Sequence, residues 1–160
     1  MTPSDRDHLR HQVEDLHTRY IRIIDDDRIE DWPALFTEDG LYRVVTREND
    51  EQELPLAIME CQGHGMMQDR VTGLRRINVY EPQRYSHQIS GLWIDQVAEG
   101  RIRCRSNYLV VRTMATGAMT IFATGLYRDL IVIEDDQLRF EERVVITDSR
   151  QIDTLLVIPI

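Results

Sequence analysis

The sequence has 160 residues, 42% of them hydrophobic and 29% charged, which describes a single globular domain spanning 1–160 with enough chain to build its own core. Its 28 acidic residues outnumber 19 basic ones, and every basic residue is Arg. The formal net charge of −9 argues against nucleic acid or an anionic membrane as partner, and the lack of Lys excludes Schiff-base and P-loop chemistry.

In chain order, Leu9, Val13, Leu16, Tyr20 and Ile23/Ile24 recur at spacings of four and three, which predicts a helix from Asp5 to about Asp26 with one apolar stripe. Ser4 is its expected cap. The run Asp25-Asp26-Asp27 is read as a solvated helix end, because carboxylates there oppose the helix dipole. A short helix is expected over Trp32–Phe36, a turn over Thr37–Gly40 and a first strand over Leu41–Arg47. Glu48–Glu53 reads as a charged loop. Leu54–Cys61 is apolar, as a strand or an approach to a third helix over about Gly65–Arg76, with Met67, Val71 and Leu74 inward.

The rest is β-rich. Strands are expected over Tyr85–Ile94, Arg101–Val111, Ala118–Ile133 and Gln137–Thr147, separated by turns at Ala98-Glu99-Gly100, Thr116-Gly117 and Glu134-Asp135-Asp136. Arg101, Arg103 and Arg105 alternate with Ile102, Cys104 and Ser106, the period-two pattern of a half-buried strand. Helices followed by an antiparallel meander form an α+β pattern: a curved sheet wrapped around the long N-terminal helix, cone-shaped, with an apolar cavity between them.

Leu109-Val110-Val111 and Val144-Val145-Ile146 break the in/out alternation, so one sheet face is expected to line the cone and the other to meet a neighbouring subunit. The uncharged tail Thr154–Ile160 has to be covered, either by its own sheet or by another chain, and Leu155, Leu156, Val157, Ile158 and Ile160 are the candidates for a subunit interface. Arg84, Arg101, Arg103, Arg105, Arg128 and Arg143 are candidates for bidentate pairing across such a contact. Cys61 and Cys104 build no disulfide framework, no apolar leader is read and no run approaches the length of a membrane span, so the expected compartment is the cytoplasm.

Trp32-Pro33-Ala34-Leu35-Phe36-Thr37-Glu38-Asp39-Gly40-Leu41-Tyr42 resembles the helix–turn–strand entry of the nuclear-transport-factor-2-like (cystatin-like) cone fold. Further segments narrow the resemblance: Met67–Arg75, Asn78-Val79-Tyr80-Glu81-Pro82, Arg84-Tyr85-Ser86-His87, Arg105-Ser106-Asn107-Tyr108, Gly125–Asp129 and Glu142–Ser149. Together they resemble the small (β) subunit of Rieske-type aromatic-ring-hydroxylating dioxygenases, in the flavour acting on substituted benzoates such as anthranilate, salicylate or terephthalate. The resemblance implies an α3β3 oxygenase in which a homotrimer of this chain holds three α subunits, each bearing a Rieske 2Fe–2S cluster and a mononuclear non-haem iron.

The chain itself is expected to hold neither group. Cys61-Gln62-Gly63-His64 has the spacing of one Rieske loop, but Cys104 is followed by Arg105 and Ser106 and supplies no second one. Asp5, His8 and His11 share a helix face, yet the spacing of the iron triad would require a histidine where Val13 stands. The alternative reading is a stand-alone cone-fold isomerase or dehydratase doing acid–base chemistry in the cavity. Its candidates are Tyr20, Tyr42 and His87, with Asp129 on the face of Tyr127 and Ile131, and Glu142 on the parity of Leu138, Phe140, Val144 and Ile146. An open pocket with convergent polar groups would mark the enzyme; a cone filled with side chains would mark the scaffold.

Overall fold

Residues 3–76, 81–149, 156 and 158–160 are described by a computed structural model of the chain. Helix α1 (Pro3–Asp25) leads through two 3-10 turns, Ile29–Asp31 and Pro33–Leu35, into strand β1 (Phe36–Thr46). Helix α2 (Arg47–Glu51), strand β2 (Met59–Gln62) and helix α3 (Gly63–Arg76) follow. The chain then runs through β3 (Gln83–Ala98), β4 (Arg101–Met114), β5 (Met119–Glu134) and β6 (Gln137–Thr147). The strands form one open, curved sheet in the order β2-β1-β6-β5-β4-β3, with α1 on its inner face. The expected antiparallel pairing holds at every seam except one: β1 and β6 run parallel. Parallel neighbours need a long crossover, and here everything from α2 to β5 serves as that connection.

The apolar stripe of α1 is buried against the sheet through Val13, Leu16, Tyr20, Ile23 and Ile24. The helix closes in a Schellman motif, in which Arg28 N–H reaches the Ile23 carbonyl at 2.8 Å and Asp27 N–H the Ile24 carbonyl at 3.1 Å. Asp27 takes the left-handed position (φ 56°) that glycine usually fills. The aspartate run at this end is more than a solvated terminus. Arg75 of α3 holds Asp27 at 2.8 Å, while Asp25 turns toward the sheet and accepts from the His87 N–H at 2.9 Å and the His87 ring at 2.5 Å.

Trp32–Phe36 forms a 3-10 turn rather than a helix, because the chain is already extended at Phe36 (φ −105°, ψ 159°). Thr37–Gly40 lies within β1 as an irregular stretch where the register with β6 shifts. The charged segment after β1 is helical at its start, capped by the Thr46 hydroxyl, which accepts from the Asn49 N–H at 3.2 Å. The β3–β4 and β5–β6 hairpins turn on Glu99-Gly100 and Asp135-Asp136, all with positive φ, the pair of conformations that a two-residue hairpin loop requires.

Strand β4 keeps strict alternation, with Ile102, Cys104, Ser106, Tyr108 and Val110 buried inside and Arg101, Arg103 and Arg105 exposed outside. Strand β6 does not. Leu130 of β5 pairs with Glu142 and Ile131 with Phe140, so Glu141 is an extra residue in a β-bulge. Leu138 and Phe140 point inward before the bulge; after it the inward set is Arg143 and Val145. The parity read from the sequence therefore fails beyond Glu141. Val144 and Ile146 lie on the outer face with Val45 and Leu126, in a small apolar cluster on the side where α2 packs against β1 and β6. That cluster is buried within the protomer itself.

At Gly125 of β5 the neighbouring strand β6 passes too close for any side chain. A Cβ there would lie 1.9 Å from the Ile146 carbonyl oxygen and 3.0 Å from the Tyr108 ring. Gly125→Ala is expected to push β6 away and lower the unfolding free energy by about 3 kcal/mol or more, read from the urea midpoint at constant m.

Candidate functional site

The polar chemistry of this protein lies in the middle of its apolar core. Asp129 on β5 and Arg143 on β6 are register partners across the strand pair. Arg143 Nε and Nη2 each donate to one Asp129 oxygen at 2.8 Å, a bidentate fork. His17 of α1, on the inward stripe one turn past Val13, bonds Asp129 Oδ2 through Nε2 at 2.9 Å. The guanidinium carbon sits 4.1 Å from the ring centres of Tyr20 and Phe140 and 4.2 Å from that of Tyr127, so aromatic faces surround the cation. Arg143 has 0% relative exposure, Asp129 2% and His17 3%.

Burial by itself would push the Asp129 carboxyl up; the Arg143 charge and hydrogen bonds, with the His17 bond, hold it instead at about 2. Burial pushes His17 below its ordinary value, and the Arg143 charge pushes the same way against the Asp129 hydrogen bond. Tyr20 is raised to about 12 by burial, and Tyr42 and Tyr127 are raised for the same reason. These phenols are therefore protonated hydrogen-bond donors at neutral pH. Two of them act on the chain's own tail. The Tyr20 and Tyr42 hydroxyls donate to the main-chain oxygen of Ile160 at 2.9 and 3.0 Å, and the Ile160 N–H donates back to Tyr42 at 2.9 Å.

Cys104 brings its sulfur near the His17 and Asp129 ligand atoms, all within 4.8 Å of one another. The set does not suit a metal ion. Both Asp129 oxygens already serve Arg143 and His17, the Arg143 guanidinium already balances the carboxylate charge, and burial raises the Cys104 thiol. The Cys-x-x-His look-alike also separates: Cys61 is buried on β2, while the His64 ring bonds the Phe36 carbonyl at 3.0 Å.

Of the acid–base candidates, Tyr20, Tyr42 and Asp129 meet in the interior. His87 is buried on the edge strand β3, engaged with Asp25. Glu142 is half-buried on the outer face because of the bulge. Of the interface candidates, Arg143 lies inside the cone for the same reason. Arg84, Arg101, Arg103, Arg105 and Arg128 are on the outer side; Arg101 pairs with Glu141, Arg105 with Asp95, and Arg128 with Asp50 at 2.8 to 3.0 Å. Leu156 and Ile160 are buried in the protomer's own core and Ile158 packs against it, so these three are covered without a partner chain. Leu155 and Val157 lie outside the described residues, as do Asn78, Val79 and Tyr80. Sequence reading missed His17, although its place on the α1 stripe between Val13 and Tyr20 was the available signal.

Two outcomes follow from this cluster. Asp129→Ala leaves Arg143 charged, buried and unpaired, and should cost roughly 3–5 kcal/mol in urea unfolding, more than removing both charges together with an apolar pair. Acid should lower the stability of the protein in two stages. His17 has a folded pKa below its unfolded value, so its stabilisation declines as pH falls below about 6.5. Asp129 has a depressed pKa, so its contribution of about 2–3 kcal/mol is complete above about pH 5 and is lost as pH falls toward 2. Unfolding curves from pH 7 to pH 3 should show the upper stage vanish in His17→Gln.

A SnoaL-like domain model matches residues 6–144. The small subunit of anthranilate 1,2-dioxygenase from Burkholderia cepacia is 42% identical over 145 residues, which cover 91% of this chain and 90% of that protein. The β1 subunit of the terminal oxygenase component of terephthalate 1,2-dioxygenase from Comamonas sp is 33% identical over 149 residues, covering 93% and 97% of the two chains. The crystal structure of a chain assigned as the β subunit of an aromatic-ring-hydroxylating dioxygenase from Novosphingobium aromaticivorans superposes with a TM-score of 0.89 at 33% identity, over 97% of this chain and 99% of that one. On this evidence the chain, an α+β cone of the SnoaL-like type, belongs to the family of small (β) subunits of aromatic-ring-hydroxylating dioxygenases.

Proposed function

We propose that this protein is the non-catalytic β subunit of an α3β3 oxygenase that hydroxylates substituted benzoates in the cytoplasm, and that it holds iron-bearing α subunits in register. The observation that carries this reading is the filled cone. Where an isomerase or dehydratase of this fold would keep room for a substrate, Trp32, Phe36, Tyr42, Tyr20, Tyr127, Phe140 and Arg143 are fully buried against one another, and Ile160 is packed among them. The Asp129 carboxylate is ionised and held by Arg143 and His17, and its depressed pKa makes it a poor base toward a ligand. The Rieske cluster and the mononuclear iron belong, on this reading, to the α subunit. The substituted-benzoate class of substrate is supported by the anthranilate and terephthalate relatives.

The outer face of β3, β4 and β5 is where we put the contacts of the homotrimer. Register places Arg84, Thr113 and Met119 in one row there, Ser86, Val111 and Ile121 in the next, and Trp93, Arg105 and Arg128 in another. Trp93 is 63% exposed, Ile121 70% and Met119 71%. An exposed aromatic and two aliphatics interleaved with arginines is the composition of an interface core, and a threefold ring needs a surface of this kind facing a different surface on its neighbour.

Co-expression with its α subunit should yield a particle whose mass equals three copies of each chain by light scattering, with all iron in α. Trp93→Asp combined with Ile121→Asp should leave a folded protomer with unchanged far-UV dichroism and no such particle. A lone, stable chain that ignores the α subunit would remove the scaffold reading.

A further inference from the structure

The residue that completes the core is held differently from the rest of it. Ile160 is bound through its main chain, with two phenol hydroxyls on its oxygen and its N–H returned to one of them, while its side chain occupies a fully buried slot. Buried main-chain groups must find partners, and for Ile160 the partners are side chains, the phenols of α1 and β1. These contacts amount to recognition of a carbonyl-type oxygen next to a compact branched apolar body. A third phenol, Tyr127, lies beside Tyr20 at a ring separation of 6.0 Å, and its buried hydroxyl has no hydrogen-bond partner among the described residues. A buried donor left unsatisfied is costly, and here it stands next to two donors already turned onto one acceptor. The raised phenol pKa values keep all three groups protonated.

We propose that the cone contains a binding site for a compact branched carboxylic acid or its amide, and that the tail around Ile160 occupies that site as a built-in ligand. Tyr20 and Tyr42 are the acceptor-binding pair, Tyr127 is the spare donor, and Phe36, Phe140 and Trp32 belong to the surrounding apolar wall. Arg143 stays paired with Asp129 and takes no direct part. The covalent tether gives the tail a high effective concentration, so the unaltered chain binds nothing there at ordinary ligand levels. The site opens when the tail is withdrawn.

The test compares the full chain with a chain ending at residue 157, using 3-methylpentanoate and 3-methylpentanamide, which reproduce the acyl and side-chain atoms of isoleucine, and 3-methylpentan-1-ol as the control lacking the carbonyl. The shortened chain should melt about 5 °C higher at a hundredfold excess of either carbonyl probe over its Kd. The alcohol should give less than a quarter of that shift, and Tyr42→Phe in the shortened chain should abolish it. If the shortened chain does not fold alone, refolding with millimolar acid or amide should recover its near-UV dichroism, and refolding with the alcohol should not. A shortened chain that neither shifts nor refolds with the carbonyl probes overturns the proposal, as does an equal shift in the full chain, which would locate binding elsewhere. The readouts need no α subunit, so they are independent of the scaffold role.

Discussion

Burying a guanidinium and a carboxylate together is tolerable only when each partners the other, and the bidentate fork between Arg143 and Asp129 organises the rest of this protein. The two residues stand directly opposite on β6 and β5, so the ion pair also selects the register. A slip of one residue would set Asp129 against Glu142 or Val144 and strand two charges in an apolar interior. The bulge at Glu141 belongs to the same arrangement. Without it, Glu142 would point into the cone and Arg143 out of it. The rings of Tyr20, Tyr127 and Phe140 then dry the pair and give the cation three aromatic faces, while His17 brings α1 onto a further lone pair of Asp129. One ionic contact thus joins the helix, β5 and β6.

A core built this way separates inside from outside by charge management. Inside, Arg143 and Asp129 hold each other in a fixed fork, with His17 on the same carboxylate. Outside, arginines alternate along β4, and even the like-charged cross-strand neighbours Arg105 and Arg128 are each neutralised by an acid of the same chain, Asp95 and Asp50. Such exposed pairs contribute little to stability. They do hold planar donors in a fixed array on the outer strand face, beside Trp93. A rigid interior and a patterned exterior suit a protein whose work is done on its surface, and the same filled interior is what denies an acid–base enzyme its reaction volume.

Much of this was legible in the sequence because it depends on local periodicity. The α1 stripe, the strict alternation of β4 and the positions of the hairpin turns follow from 3.6- and 2-residue repeats that tertiary contacts reinforce. The family resemblance, spread over many short segments, likewise survived comparison. What was not legible depends on single residues that break a period or on contacts between distant parts. Extrapolating parity past Glu141 exchanged the roles of Glu142 and Arg143, since nothing local announces a bulge. The tail was recognisably apolar, but its cover came from Tyr20 and Tyr42, far away in sequence. Asp25 looked like one of three solvated carboxylates until β3 brought His87 to it.

The hydrogen bonds from Tyr20 and Tyr42 to Ile160 span 140 and 118 residues, and the parallel seam between β1 and β6 closes a loop almost as long. Contacts of such separation form late and slowly, because the entropy of closing long loops must be overcome before any packing is gained. During synthesis the helix and first strand wait, with their aromatic faces uncovered, until the final strand and tail arrive to finish the cone. The intermediate is an open half-shell with exposed strand edges, prone to pair with other chains. The longer that half-shell stays open, the more its exposed edges favour aggregation over folding.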